Sequence, residues 1–129
     1  MKNMTGTRAR NHYVAAPAGT APSERDRISP TFACGALELF EMMRETALAQ
    51  PRTKMLSQSP EELHMVLVQR TKFWRFPDDI SVEIIALEDG GATLMLSSKA
   101  RYGVEDFSVN RRRVERWLTA LEACAANKT

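Results

Sequence analysis

The chain has 129 residues, 43% of them hydrophobic and 26% charged, a balance typical of one soluble globular domain. Its 18 Lys and Arg against 16 Asp and Glu leave a formal charge of +2, which is too small to predict a polyanionic partner by itself. The N-terminus, MKNMTGTRARNHYVAAP, has basic residues without an apolar run behind them. We therefore expect neither a secretory signal nor a transmembrane segment, and a cytoplasmic location, with a related form that carries a membrane anchor or signal as the open alternative.

The first 30 residues are mostly Ala, Gly, Thr, Pro, Ser, Arg and Asp, which predicts an extended or partly disordered arm before a single domain over residues 31–129. An exception is the short patch His12-Tyr13-Val14, which is able to lie along a sheet edge. From about Cys34 to Ala49, apolar residues recur at three- and four-residue steps and predict an amphipathic helix, ended by Pro51.

Three or four strands are predicted next. A short strand is expected at Arg52 to Ser57, and the apolar run from Leu63 to Phe73 is typical of a strand covered on both faces. Two further strands, Ile80 to Leu87 and Ala92 to Ala100, flank Glu88-Asp89-Gly90-Gly91. An Asp-Gly pair between apolar strands is a strong hairpin signal, because both turn residues can take positive φ.

The last helix is predicted after Tyr102-Gly103, with Asp106 or Ser108 as its N-terminal cap. Its buried stripe consists of Val114, Trp117, Leu118 and Leu121. Strands in a block flanked by two helices predict an α+β two-layer sandwich, in which an antiparallel sheet of about four strands carries both helices on one face.

Polar residues cluster around the predicted hairpin. Asp78 and Asp79 are neighbours on an extended chain and point to opposite sides, so they do not form an acid/base pair by themselves. We expect one to cap a turn and the other to pair with Arg75 or Arg101. A second group suits either a structural network, which we favour, or the grip of an external carboxylate or phosphate. Its members are Arg101, Asp106, Asn110 and Arg112.

Two further clusters have competing interpretations. The run Arg111-Arg112-Arg113, with Arg116 one turn on, fans around the helix because successive residues are about 100° apart. This pattern favours a solvated or internally paired face over a nucleic-acid surface. The aromatic cluster Phe73, Trp74 and Phe76 favours closure of the core, and the alternative is an aromatic rim of Trp74 and Phe76 for an apolar ligand or partner.

Four segments together resemble the signature of the domain of unknown function 1499 family, a family of uncharacterised bacterial proteins. They are Arg75-Phe76-Pro77-Asp78-Asp79, Ser97 to Gly103, Asp106-Phe107 and Val109 to Arg113. The resemblance reaches back more loosely to about Tyr13, and it implies a shared framework without a reaction. Lys99 departs from the family pattern, where arginine is more usual, and lysine cannot make the same planar bidentate bond.

The two cysteines, Cys34 and Cys124, leave a single disulfide between the helices open, although buried reduced thiols are favoured. There is no CxxC, and His12 and His64 are distant in sequence from both thiols, so no metal site or other cofactor is predicted.

The function most consistent with these patterns is a non-catalytic binding or interaction module. A cleft between the helices and the sheet would take a small amphipathic ligand or a partner segment. No GxSxG or glycine-rich phosphate loop is present, so no catalytic residue is assigned. Two alternatives stay open: an enzyme that uses Asp78 or Asp79 with Arg101, and a nucleic-acid binder that uses Arg111 to Arg116.

Overall fold

The computed structural model describes residues 11–102 and 107–128. This part of the chain contains six strands and two α-helices: β1 (His12–Ala16), β2 (Arg27–Ile28), α1 (Ala36–Leu48), β3 (Thr53–Ser59), β4 (His64–Arg70), β5 (Pro77–Ala86), β6 (Ala92–Ala100) and α2 (Phe107–Asn127). A short 3-10 helix, Pro22–Glu24, lies between β1 and β2. The strands form one sheet in the order β2-β1-β6-β5-β4-β3.

The sheet differs from the predicted antiparallel sheet of about four strands, and that prediction was wrong. β1 pairs with the far side of β6, and β2 then pairs parallel to β1, with Ala15 opposite Arg27. The sheet is therefore mixed and six-stranded, although the α+β class with two helices is correct. Both additional strands come from the segment predicted to be an N-terminal arm. Its alanines have little intrinsic strand preference, and long-range pairing with β6 decides their conformation.

The hairpin of β5 and β6 forms where the Asp-Gly pair predicts it. Its register runs from Asp78 opposite Ala100 to Ala86 opposite Ala92. In the turn, however, only Gly90 takes a positive φ, of 91°. The Gly90 N–H donates to the Leu87 carbonyl at 3.2 Å, as expected for a three-residue hairpin loop with glycine at the left-handed position.

The chain passes from β2 to α1 beside this hairpin. Phe32 and Ala92 exchange two backbone hydrogen bonds, of 2.8 and 3.0 Å, which anchor the connection to the start of β6. Gly91 leaves the space for it, because a Cβ at this position would lie 2.5 Å from the Phe32 carbonyl oxygen. This connection places α1 on the same face of the sheet as α2.

The core lies between this face and the two helices. Alternate residues of the strands point toward the helices, as Ile80, Val82 and Ile84 do on β5. The helices contribute their apolar stripes, including Phe40 and Trp117, which are fully buried. Each fully buried Leu, Ile or Phe stabilises the fold by roughly 1.5–3 kcal/mol relative to an exposed one, so this layer holds the sandwich together.

The two ends of the sheet differ in charge. The Ile84 N–H donates to the Leu63 carbonyl at 2.8 Å, which places the β3–β4 turn beside the β5–β6 turn. We call this the acidic end, since its turns carry Glu61, Glu62, Glu88 and Asp89. The β4–β5 loop (residues 71–76), the end of β6 and the first turns of α2 lie at the other end, which we call the basic end.

Candidate functional site

Asp78 and Asp79 occupy successive positions on β5 and therefore point to opposite faces of the sheet. Asp78 lies opposite Gln69 and Ala100 and faces the helix layer, where it is completely buried. Asp79 lies on the outer face and is partly exposed. Each carboxylate faces an arginine, so β5 carries two ion pairs back to back.

Arg113 of α2 is the centre of a buried polar network. Its Nη2 lies 2.7 Å from Oδ2 of Asp78, and the two side chains are 7% and 0% exposed. The remaining guanidinium nitrogens donate to Gln69 Oε1, and to Ser98 Oγ and Asn110 Oδ1 at 3.0 Å each. One side chain therefore connects α2 with three adjacent strands of the sheet.

Asn110 and Gln69 extend this network to the backbone. Ser98 Oγ donates to Asn110 Oδ1 at 2.7 Å, and Asn110 Nδ2 donates to the Asn11 carbonyl at 3.0 Å. Gln69 Nε2 donates to the Pro51 carbonyl at 2.9 Å. The network thereby fixes the start of β1 and the connection between α1 and β3.

The contact between Asp78 and Arg113 is an ion pair by its separation, although its angles are not those of a hydrogen bond. Neither Asp78 oxygen accepts a hydrogen bond from the part of the chain that the structure describes. A buried carboxylate is costly unless an opposite charge compensates it. The distance decides the interpretation here, because charge attraction depends on angle far less than hydrogen bonding does. Asp78 therefore depends on Arg113.

Asp79 and Arg101 form the exposed pair. Arg101 Nη2 and Nε donate to Asp79 Oδ1 at 2.7 and 3.1 Å, and Nε also lies 3.2 Å from Oδ2. The hydrogen bonds to Asp79 raise the pKa of Arg101, so the guanidinium stays charged. The two groups satisfy each other, so Asp79 is not free to take a proton from a substrate as a general base does.

The structure brings together only part of the predicted site. Asp78 and Asn110 share the buried network, and Asp79 and Arg101 form the separate outer pair. Arg112 is exposed and donates to Ser108 Oγ at 3.1 Å.

A further predicted residue lies elsewhere. Arg75 is exposed in the β4–β5 loop, where its carbonyl accepts a hydrogen bond from Arg70 Nη1 at 2.9 Å. Asp106 lies outside the described residues. Ser108 is within the α2 helix, so the helix begins before it.

Sequence reasoning missed Arg113, Gln69 and Ser98. The spacing of α2 contained a signal for the arginine, because Asn110 and Arg113 continue the stripe of Val114 and Trp117 at steps of three and four residues. A polar residue on a buried stripe predicts a buried partner. The run Arg111-Arg112-Arg113 was interpreted as a whole, as a solvated or internally paired face, so Arg113 was not distinguished from its neighbours.

A second cluster lies on the surface of the basic end. We call it the aromatic tip, and it consists of Phe73, Trp74, Phe76 and Tyr102. Their side chains are 82%, 77%, 50% and 67% exposed. The favoured interpretation, that Phe73, Trp74 and Phe76 close the core, was therefore wrong.

Hydrogen bonds within residues 71–76 hold the loop part of the aromatic tip in a defined shape. The Thr71 N–H donates to the Phe76 carbonyl at 3.0 Å, and Thr71 Oγ1 accepts from the Phe76 N–H at 2.9 Å. The Trp74 and Phe76 rings stack with centroids 6.4 Å apart, and the Lys72 ammonium lies 5.6 Å from the Phe73 ring centroid. Arg75 takes a positive φ of 59° in this loop.

A model of the family described as protein of unknown function (DUF1499) matches residues 10–121. The chain belongs to the DUF1499 family. The match confirms the resemblance and spans both ion pairs, the buried network and the aromatic tip, so these features all lie within the DUF1499 domain. No curated protein matches the chain.

A groove of about 550 Å³ lies between the C-terminal halves of the two helices, partly beyond the residues that the family model matches. Alanines form much of its lining, and the remaining residues are polar: Glu45, Thr46, Gln50, Asn127 and Lys128, with Cys124 on one side. The predicted cleft lay between the helices and the sheet. Among the described residues, that interface is filled by core side chains.

The two cysteines, Cys34 and Cys124, are free thiols. Burial, together with the nearby Glu38, raises the pKa of Cys34. No group of three or more potential metal ligands from His, Cys, Asp and Glu occurs within residues 11–102 and 107–128. Over those same residues, neither helix combines the length and apolar character that a bilayer crossing requires.

Proposed function

We propose that this protein is a non-catalytic interaction module and that the aromatic tip is its contact surface. The observation that carries the proposal is the exposure of three large rings within four residues, Phe73, Trp74 and Phe76. Burying one such side chain is favourable by roughly 1.5–3 kcal/mol, which an isolated molecule in water does not gain. Aromatic residues beside arginine are also the residue types that dominate contact energies at interfaces.

The shape of the loop supports the same role. Three hydrogen bonds close residues 71–76 onto themselves, and Arg75 holds a conformation that is unfavourable for a residue with a Cβ. A loop that is already ordered loses little conformational entropy when it makes contact. The tip is therefore organised before any partner arrives.

The two carboxylates give the catalytic alternative little support. Asp78 is fully buried against Arg113, and Asp79 is held by Arg101. Neither is free to take a proton from a substrate in an open site. The nucleic-acid alternative has little support as well. Arg113 is buried, so only Arg111, Arg112 and Arg116 of the basic run on α2 lie at the surface.

The groove between the helices favours a second candidate, a small amphipathic ligand. Its volume falls in the range of roughly 300–1,000 Å³ that ligand sites occupy. Native mass spectra of the untagged chain, compared with its denatured mass, test this candidate. A mass that is lost on denaturation supports a retained ligand, and a clean apo mass counts against a tightly held one.

Photocrosslinking tests the interaction module. A photoreactive phenylalanine analogue replaces Trp74 in one variant and Leu37 in the other, in the cells that produce the protein. Leu37 is the matched control because it is an exposed apolar residue of α1, 58% exposed and outside the aromatic tip. We expect adducts at position 74 and not at position 37. Equal yields at both positions would contradict the proposal.

A further inference from the structure

Three of the four rings of the aromatic tip lie within a strongly basic segment. Residues 70–76, RTKFWRF, contain three cations and three aromatic rings without an acidic residue. Within residues 11–102 and 107–128, no carboxylate lies within ion-pair distance of Arg70, Lys72 or Arg75. The neighbouring Asp78 and Asp79 are already paired with Arg113 and Arg101. Among the residues that the structure describes, the positive charge of the loop is therefore uncompensated.

The charge of the molecule is also polarised along the sheet. β5 has ten residues and spans about 30 Å at the usual rise per residue. The acidic end is thus separated from the aromatic tip by several screening lengths, each about 8 Å at physiological ionic strength. An anionic surface would attract the basic end without significant repulsion from the acidic end, so the charges also define an orientation.

The geometry of the tip favours a lipid surface over a protein partner. A protein interface of standard size buries about 800 Å² on each side, which is more than a single projecting loop offers. Trp and Tyr rings, in contrast, are the side chains that concentrate at the boundary between headgroups and acyl chains. Lys72 extends along the Phe73 ring, an arrangement in which the ring can enter the interface while the ammonium stays at the headgroups.

We propose that the aromatic tip docks the protein onto an anionic lipid bilayer. Phe73 and Trp74 enter the interface, and Lys72, Arg70 and Arg75 contact the anionic headgroups. This inference rests on the proposed function, because it names the partner of the same surface. Apolar burial and charge attraction act together here, and membrane-surface anchors generally need two such signals.

The two tryptophans provide a built-in reporter. Trp117 is completely buried in the core, whereas Trp74 is 77% exposed. A change in tryptophan emission on addition of vesicles therefore reports the environment of Trp74. We expect a blue shift when vesicles contain phosphatidylcholine with about 30% phosphatidylserine, and none with phosphatidylcholine alone. Because the attraction is screened, we expect the full chain to co-sediment with anionic vesicles at low salt and to be released at about 1 M salt.

Two pairs of variants assign the binding to the tip. Phe73→Ser with Trp74→Ser removes the rings, and we expect the partition constant from co-sedimentation to fall by about tenfold or more. Leu37→Ser is its control and leaves binding unchanged. Lys72→Glu lowers the partition constant by at least about fivefold, the effect of one cation near such a surface. Lys128→Glu makes the same charge change at the far end of α2 and has no comparable effect. Circular dichroism melting curves establish that each variant is folded.

Three results would overturn the lipid inference: no co-sedimentation of the wild-type chain with anionic vesicles at low salt, equal binding to neutral vesicles, or binding that the tip variants leave unchanged. Photocrosslinking at position 74 separates this failure from that of the proposed function. If position 74 captures a protein while vesicles fail to bind, the interaction module stands and the lipid inference falls. If neither occurs, both fall.

Discussion

The two ion pairs of β5 have the same chemistry and different surroundings. In each, the shortest distance from a guanidinium nitrogen to a carboxylate oxygen is 2.7 Å. The Asp78–Arg113 pair is 0% and 7% exposed, whereas Asp79 and Arg101 are 41% and 34% exposed. Exposure to solvent, rather than distance, determines how much stability is lost when one partner of such an ion pair is removed. Water replaces a lost partner at the surface and cannot do so in the core.

The partners of the two arginines reinforce this difference. Arg113 also donates to Gln69, Ser98 and Asn110, so its loss would leave several buried groups with fewer bonds. Arg101 has hydrogen bonds to Asp79 on the outer face, where exposed groups can turn to solvent. The buried pair should therefore decide whether the helix layer stays on the sheet, and the outer pair should not.

The largest effect is expected for Arg113→Met. The substitution leaves the Asp78 carboxylate buried without its counter-charge, and breaking a buried pair in this way typically costs about 3–5 kcal/mol. Urea unfolding followed by circular dichroism measures the change in the free energy of unfolding. Arg112→Met, an exposed neighbour on α2, is the matched control. Similar losses for the two variants would show that Asp78 does not depend on Arg113.

Removing the charge of Asp78 should restore part of that loss. We expect Arg113→Met combined with Asp78→Asn to be more stable than Arg113→Met alone, by about 1–3 kcal/mol, because the amide carries no uncompensated charge. Recovery should stay incomplete, since Gln69 Oε1 still lacks its donor and Asn110 Oδ1 keeps only the bond from Ser98 Oγ. The same urea experiment decides the matter, and a double variant no more stable than the single one would count against an electrostatic origin.

A smaller effect is expected for Asp79→Asn on the outer face. Exposed pairs contribute about 0–1 kcal/mol, and the difference from wild type should shrink further in high salt. Urea unfolding at low and high salt measures it. A loss as large as that of Arg113→Met would remove the distinction between the two pairs.

Tyr13 extends the comparison to an uncharged group, with an effect confined to alkaline pH. Its hydroxyl donates to Glu115 Oε2 at 3.2 Å, and burial, followed by the Glu115 charge, raises its pKa above 10.0. The native state then holds a proton that the unfolded chain releases. This contribution to stability is complete below about pH 10 and is lost as pH rises through the native pKa.

Replacing Tyr13 with phenylalanine removes the titrating group. We expect the free energy of unfolding of Tyr13→Phe to fall less steeply than that of the wild type above pH 10, although the variant loses one hydrogen bond at neutral pH. Thermal melts across the alkaline range provide the measurement. Parallel curves for the two proteins would be the contrary result.

The sequence predicts the parts of the fold that local patterns determine. The stripe of α1 and the Asp-Gly turn of the β5–β6 hairpin both depend on residues close together in the chain. β1 and β2 do not, because alanine-rich β1 becomes a strand by pairing with β6 at the other end of the chain, and β2 has only two residues. No local pattern encodes that pairing.

The candidate site, like the fold, was predictable only where a local sequence pattern determines it. Alternation along β5 correctly separates Asp78 from Asp79, and one of them pairs with Arg101, one of the two arginines expected. The expectation that the other caps a turn was wrong, because Asp78 is buried against Arg113 and neither of its oxygens accepts a hydrogen bond from the described residues. The burial of Arg113 depends on how α2 sits on the sheet, which the composition of an arginine run does not reveal. The exposure of Trp74 was missed for the opposite reason, since aromatic residues are usually buried and only the path of the loop shows otherwise.

The pairing of β1 with β6 has a consequence for how the molecule assembles. His12 and Ser97, which are bonded across these strands at 2.7 Å, are 85 positions apart in the chain. During synthesis, β1 leaves the ribosome well before β6, so β1 must wait for this partner strand. Strands β3 to β6, in contrast, pair with strands that are adjacent to them in the chain, so these pairs can form earlier. Pulse-labelling hydrogen exchange during refolding should accordingly protect the amides of β5 and β6 before those of β1.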